Sequence, residues 1–134
     1  MTAPDQTESV SHGVEAQYRQ ALDDGRFLIQ HCAGCDRALF YPRMICPHCG
    51  ADKLAWTEPD GRGAVYSTTV VRRKPDAGGD YNVALIDLRE GVRLMSRVEG
   101  IAPDAVRIGM GVRAQVIRQN GQGLVVFVPT QEAP

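Results

Sequence analysis

Apolar residues in this chain come in short bursts, and their period changes once along its length. Between Glu15 and Asp24, Tyr18, Ala21 and Leu22 recur at helical spacing, and Gly25 follows where a helix would stop. One short amphipathic helix is marginal by itself, so it must dock on something. Phe27-Leu28-Ile29 and Leu39-Phe40-Tyr41 then read as two short strands. After Gly63 the helical period is gone, and runs rich in Val, Ile, Thr and Tyr follow one another: Ala64 to Arg72, Tyr81 to Leu88, Val92 to Val98, Val112 to Arg118 and Leu124 to Val128. Arg89-Glu90-Gly91 and Asn120-Gly121 are hairpin signals between neighbouring runs.

The turn-rich stretch Pro59-Asp60-Gly61-Arg62-Gly63 divides the two patterns. The expected organisation is a polar tail over 1–14, a helix and a metal-pinned hairpin over 15–60, a barrel over 61–129 and a short tail over 130–134. Five strands with the long crossing, Glu99 to Gly111, between the third and fourth predict a Greek-key barrel of the OB type. Closure would also remove the exposed edges of so small a sheet. The fold class is therefore mainly β: a short N-terminal helix, a rubredoxin-like zinc ribbon and a five-stranded OB-fold barrel.

All four cysteines lie between positions 32 and 49, as Cys32-Ala33-Gly34-Cys35 and Cys46-Pro47-His48-Cys49-Gly50. In a cytosolic chain such pairs read as metal ligands before disulfides. A tight turn after the first Cys of each pair aims two thiolates at one point, and two such turns complete a tetrahedron. Gly34 and Gly50 are placed where the knuckles need permissive backbone. Redox-active CxxC pairs and plain buried thiols are the alternatives, and iron is the chemical rival to zinc, which the colour of the protein would reveal. Four thiolates leave no open position for water or substrate, so the Zn2+ expected at Cys32, Cys35, Cys46 and Cys49 is structural. His31 and His48 are read as bystanders.

Composition narrows the function. The 134 residues are 43% hydrophobic and 23% charged, with a net charge of -1 that gives no global pull toward nucleic acid. No apolar run approaches the ~20 residues of a membrane span. The first twelve residues lack a signal-peptide core, so a cytoplasmic protein is expected. Chemistry is sparse. Every Cys is taken by the metal site, His12 stands in the tail, and the barrel half holds no His at all. Ser67 and Ser96 therefore have no base in sequence, and Asp87 and Glu90 read as turn carboxylates. No catalytic residue is assigned.

Positive charge clusters at Arg72-Arg73-Lys74, at Arg43 beside Pro42, and at Arg93 and Arg97, which are expected to share one face of the third strand with Met95 between them. These are solvated surface charges or a local anion site suited to phosphates.

The stretches Gln30 to Cys35, Tyr41-Pro42-Arg43 to Gly50, Gly61 to Ser67, Val83 to Gly91 and Ile108 to Val112, in this order behind a short helix, resemble the zinc-ribbon OB-fold family called domain of unknown function thirty-five. Asp80-Tyr81-Asn82 departs from a Pro-Tyr pair frequent in relatives. The resemblance implies a non-catalytic accessory subunit that docks on a thiolase-superfamily enzyme (thiolase, acyltransferase or aldolase) and helps bind or channel a coenzyme A thioester. A lipid or aromatic-acid degradation setting fits. Arg43, Arg72, Arg73 and Lys74 are then candidates for the coenzyme A phosphates. The rival readings are a single-stranded nucleic-acid binder, poorly served by 6% aromatics, and a self-sufficient acyl-CoA hydrolase or transferase.

Overall fold

The computed structural model describes residues 13–130 and divides into two compact units, one of 13–58 with 118–124 and one of 59–117 with 125–130. The expected tails and His12 fall almost wholly outside the described residues, although Val14 already belongs to the helix.

In the first unit, helix α1 (Val14–Asp23) buries Tyr18, Ala21 and Leu22, the stripe its spacing predicts. It ends in a Schellman motif, with the Gly25 N–H donating to the Leu22 carbonyl and the Arg26 N–H to that of Ala21. The helix finds its dock in an aromatic cluster: Tyr18 stands edge-on to Phe40 at 5.5 Å and to Tyr41 at 6.0 Å, and Phe27 to Phe40 at 6.5 Å. Burial pushes the Tyr18 phenol up to about 12, so it stays neutral through the physiological range. The indole of Trp56 donates to the Gln17 side chain at 2.7 Å. The tip of a later hairpin also meets this helix, where Arg118 donates to the Asp23 carbonyl and the Gly123 N–H to the Asp23 carboxylate.

Strands β1 (Ile29–Cys32), β2 (Arg37–Leu39) and β3 (Leu54–Thr57) form an antiparallel sheet in the order β2-β1-β3. This differs from the expected two strands. The third is added by Leu54 to Thr57, and β1 begins two residues later than Phe27, since its ladder runs into the first Cys knuckle and pairs Cys32 with both Arg37 and Leu54.

The second unit is built on β4 (Arg62–Val71), β5 (Tyr81–Leu88), β6 (Arg93–Ser96), β7 (Gly111–Gln119) and β8 (Gln122–Pro129), a curled sheet in the order β6-β5-β4-β7-β8. Its two outer strands approach one another through a parallel bridge between Val98 and Phe127, and the Ser96 hydroxyl donates to the Val125 carbonyl. Sequence order with this strand order, and the long connection before β7, is the OB-type arrangement that the strand count predicts. Strand β5 alternates perfectly between half-buried and buried positions. A bulge between Val65 and Ser67 sets Tyr66 outward, where it is half exposed. The core is Val65, Ile86, Leu88, Leu94, Val98, Val112, Val126 and Phe127, with buried Asn82 bonded to Thr68 and to the Val98 N–H. Among the described residues no helix is long and apolar enough to cross a membrane.

Candidate metal centre and anion-binding arginines

Two hairpin-like turns bring the four thiols together. In the first, the Asp36 N–H donates back to the Cys32 carbonyl at 2.8 Å; in the second, the Gly50 N–H donates back to that of Cys46 at 2.9 Å. In each, the residue after the second Cys takes the left-handed conformation: Asp36 at φ 62° and Gly50 at φ 79°. Gly50 thus serves as its place in the knuckle predicts. Gly34 serves close packing instead, because a Cβ there would stand 3.0 Å from the Ala51 side chain and 3.4 and 3.5 Å from the sulfurs of Cys49 and Cys32.

The four Sγ atoms lie within 4.8 Å of one another, with contacts that join the two knuckles: Cys32 to Cys49 at 3.6 Å, Cys35 to Cys46 at 3.7 Å. A disulfide needs ~2.05 Å, and all four are free thiols. A tetrahedron with metal–sulfur bonds of ~2.3 Å has edges of about 3.8 Å, so the observed spacing fits a four-thiolate ion. Cys32 and Cys46 are buried, Cys35 is half-buried and Cys49 exposed. Burial, with the neighbouring thiols, pushes Cys35 up to about 12. Burial also acts upward on Cys46, but the N–H groups of Cys49 and His48 and the thiols beside it outweigh that and bring it down to about 7. Neither imidazole joins the group: His31 is 2.7 Å from the Asp36 carboxylate, and Nδ1 of His48 faces Arg37 at 3.2 Å.

The candidate anion residues are spread over both units. Arg43, in the first, has an exposed side chain and a backbone held from both sides by the buried Gln30 amide, which donates to the Arg43 carbonyl at 2.8 Å and accepts its N–H at 2.6 Å. In the second, Arg72 donates to Asp80 at 2.6 Å, and this bond holds the Asp80 carboxyl below its usual range. The Arg73 guanidinium stands over the Tyr81 ring, 4.3 Å from its centre, and donates to the Gly79 carbonyl. Lys74 is exposed. Arg93 and Arg97 do not share strand β6, which stops at Ser96; each is paired, Arg93 with Asp87 and Arg97 with Glu99, both at 2.6 Å. Arg93 also stacks on Tyr66 at 3.4 Å. Asp87 and Glu90 are engaged separately, since the Glu90 carboxylate accepts the Asp60 N–H. The Gln30 clamp and the exposure of Met44 and Ile45 have no counterpart in the sequence reading: a glutamine thirteen residues from its partner leaves no local signal.

A small knuckled ribbon with a four-thiol cluster and an OB-type sheet define a zinc-ribbon OB-fold protein. Residues 19–55 match the family described as ChsH2, rubredoxin-like zinc ribbon domain, and residues 56–116 the one described as ChsH2, C-terminal OB-fold domain. A DUF35 domain-containing scaffold protein of Methanothermobacter thermautotrophicus is 32% identical over 71% of this chain and 76% of its own length. This chain belongs to the DUF35 family. A solved structure described as the Ltp2-ChsH2(DUF35) aldolase is 37% identical, with a TM-score of 0.78 over 87% of this chain and 94% of that one. A probable enoyl-CoA hydratase alpha subunit of Thermomonospora curvata is 41% identical over 69% of this chain, which spans only 30% of that relative.

Proposed function

We propose that this chain is a non-catalytic, zinc-holding accessory subunit that docks on a thiolase-superfamily enzyme and helps hold or channel an acyl-CoA. The observation that carries the reading is the likeness, along nearly the whole of both chains, to the DUF35 chain of an aldolase described with a second component, Ltp2. The four-thiol cluster supports it, since Cys32, Cys35, Cys46 and Cys49 would hold Zn2+ with no position left for substrate. The ion would supply a cross-link between the two knuckles. The working domains are the ribbon with its helix over 15–60 and the barrel over 61–129. Coenzyme A phosphates would meet Arg43 or the Arg72-Arg73-Lys74 cluster through charge-assisted hydrogen bonds, with Lys74 the cation in that trio whose side chain has no partner among the described residues. The setting is soluble and cytoplasmic.

The test is reconstitution with the organism's thiolase-superfamily subunit. A stable complex, zinc in stoichiometric amount and turnover only in the complex are expected. Arg72→Ala with Arg73→Ala should weaken retention of the thioester by the assembled complex, and unchanged retention removes the phosphate assignment. Thioester turnover by the isolated chain removes the accessory role.

A further inference from the structure

Met44 and Ile45 are 75% and 58% exposed, although they sit in one of the most constrained parts of the ribbon. The backbone before them is clamped at Arg43 by the Gln30 amide. Immediately after them comes Cys46, buried and with its N–H donating to the Ala51 carbonyl at 2.8 Å. Two large apolar side chains are thus held out from a loop anchored at both ends, with Tyr41, 39% exposed, near their base. Because folding has already ordered that backbone, covering the two side chains would carry little further entropic cost.

The charge that this loop itself carries is of one sign. Residues 37–50 contain Arg37 and Arg43 and no carboxylate. Arg19, Arg26, Arg72, Arg89, Arg93 and Arg97 each lie within 4 Å of a carboxylate. Arg37 and Arg43 have no such partner among the described residues, Arg37 facing only His48. Exposed Asp36 and Asp52 bound the stretch on either side, which confines the positive field to the loop. A wide lipid surface is poorly matched by so small a basic patch, and a second copy would set the same cations against each other.

We propose that Met44 and Ile45 form the knob by which this chain enters an apolar, carboxylate-rimmed pocket on the thiolase-superfamily subunit, with Arg37 and Arg43 meeting the rim. This rests on the accessory-subunit reading above. Apolar anchors at the centre of an interface carry most of its affinity, and rim charges mainly its salt dependence.

The test uses the full chain and the purified enzyme subunit, without thioester. Met44→Ala with Ile45→Ala should weaken association roughly 100-fold, as loss of two buried anchors does. Zinc content and the thiolate charge-transfer band of the cobalt-substituted protein should not change, since both side chains face solvent. Arg37→Glu with Arg43→Glu should weaken binding and reverse its dependence on salt. Equal affinity in the Met44/Ile45 variant overturns the knob while leaving the accessory role standing. No affinity of the wild-type chain for the enzyme subunit overturns both. Self-association, or binding to phosphatidylglycerol vesicles, that depends on Met44 in place of enzyme binding assigns the tip to another occupant and likewise overturns the proposal.

Discussion

The two units are stabilised from different materials. The barrel's interior is aliphatic and aromatic, with Ile86, Val112, Val126 and Phe127 almost fully removed from water. The ribbon's buried cluster is Cys32, Leu39 and Cys46, flanked by Cys35, Ala51 and Leu54, so half of its members are thiols. Burying a fully covered aliphatic side chain is worth about 1.5–3 kcal/mol, and the barrel has many such side chains. The ribbon has few. A ribbon whose centre is sulfur depends on what the sulfur binds, whereas the barrel depends mainly on packing.

Removing the metal is therefore the harshest way to break that comparison. Structural zinc supplies on the order of 10 kcal/mol to such a unit. Cys32→Ser, or a strong chelator, should unfold residues 29–57 while the amides of β4 and β5 stay protected, as hydrogen exchange resolved by residue would show. Acid should act in the same direction. In the metal-free chain Cys46 ionises at about 7 and Cys35 only at about 12, so binding must displace protons and apparent affinity falls as pH falls. Loss of barrel protection together with the ribbon would mean that the two units are not independent in stability.

The reciprocal experiment strikes the barrel. Phe127→Ala removes a fully buried ring and should cost about 3–5 kcal/mol in the denaturation of the second unit. The cobalt spectrum of the four-thiolate site should survive in conditions where the folded barrel is depleted. A metal site lost in step with the barrel would reverse the contrast.

The same contrast decided what the sequence could disclose. Elements built from burial were legible: Tyr18, Ala21 and Leu22 marked α1, and the run from Tyr81 to Leu88, closed by the Arg89-Glu90-Gly91 turn, marked β5 from end to end. Elements built around the thiols were legible only as ligands. The C-x-x-C spacing disclosed the cluster, but β3 was invisible, because Leu54 to Thr57 is short and only half-buried on alternate positions. The start of β1 was displaced because knuckle pairing, more than the apolar Phe27-Leu28, sets its ladder. The positively charged residues could be counted from sequence, yet their neutralisation could not. That Arg93 and Arg97 carry carboxylate partners while Arg43 does not depends on contacts that only the folded chain makes.

A smaller effect should follow from the Gln30 clamp. Gln30→Ala removes two short hydrogen bonds and leaves the Arg43 N–H and carbonyl to find water, at a cost of about 1–3 kcal/mol within the first unit. Metal content should be retained, since the Gln30 amide bonds to the Arg43 backbone and the four sulfurs of the cluster are supplied by other residues. Amide exchange at Arg43 to Ile45 should quicken, and the subunit affinity attributed to Met44 and Ile45 should fall less than it does on deleting both side chains. Unchanged exchange there would mean that the knuckle holds this loop without the clamp.

The finest test concerns charge. Asp80 is the carboxylate that keeps Arg72 from acting as a free cation, being bonded to its guanidinium and to the Arg73 N–H. Those bonds hold its pKa below the ordinary 3.8, so whatever stability they contribute is present above that value and is lost as pH falls through the lowered one. The group is exposed, and the contribution to folding is accordingly slight. Its influence on anions is the sharper quantity. Asp80→Asn should leave thermal unfolding nearly unchanged yet raise retention of a phosphate-bearing thioester by the complex severalfold, with a steeper dependence on salt. In Arg72→Gln, the Asp80 titration followed by NMR should return toward 3.8. If freeing Arg72 from its carboxylate does not strengthen anion retention, the phosphates are met elsewhere, and Arg43 in the first unit becomes the candidate.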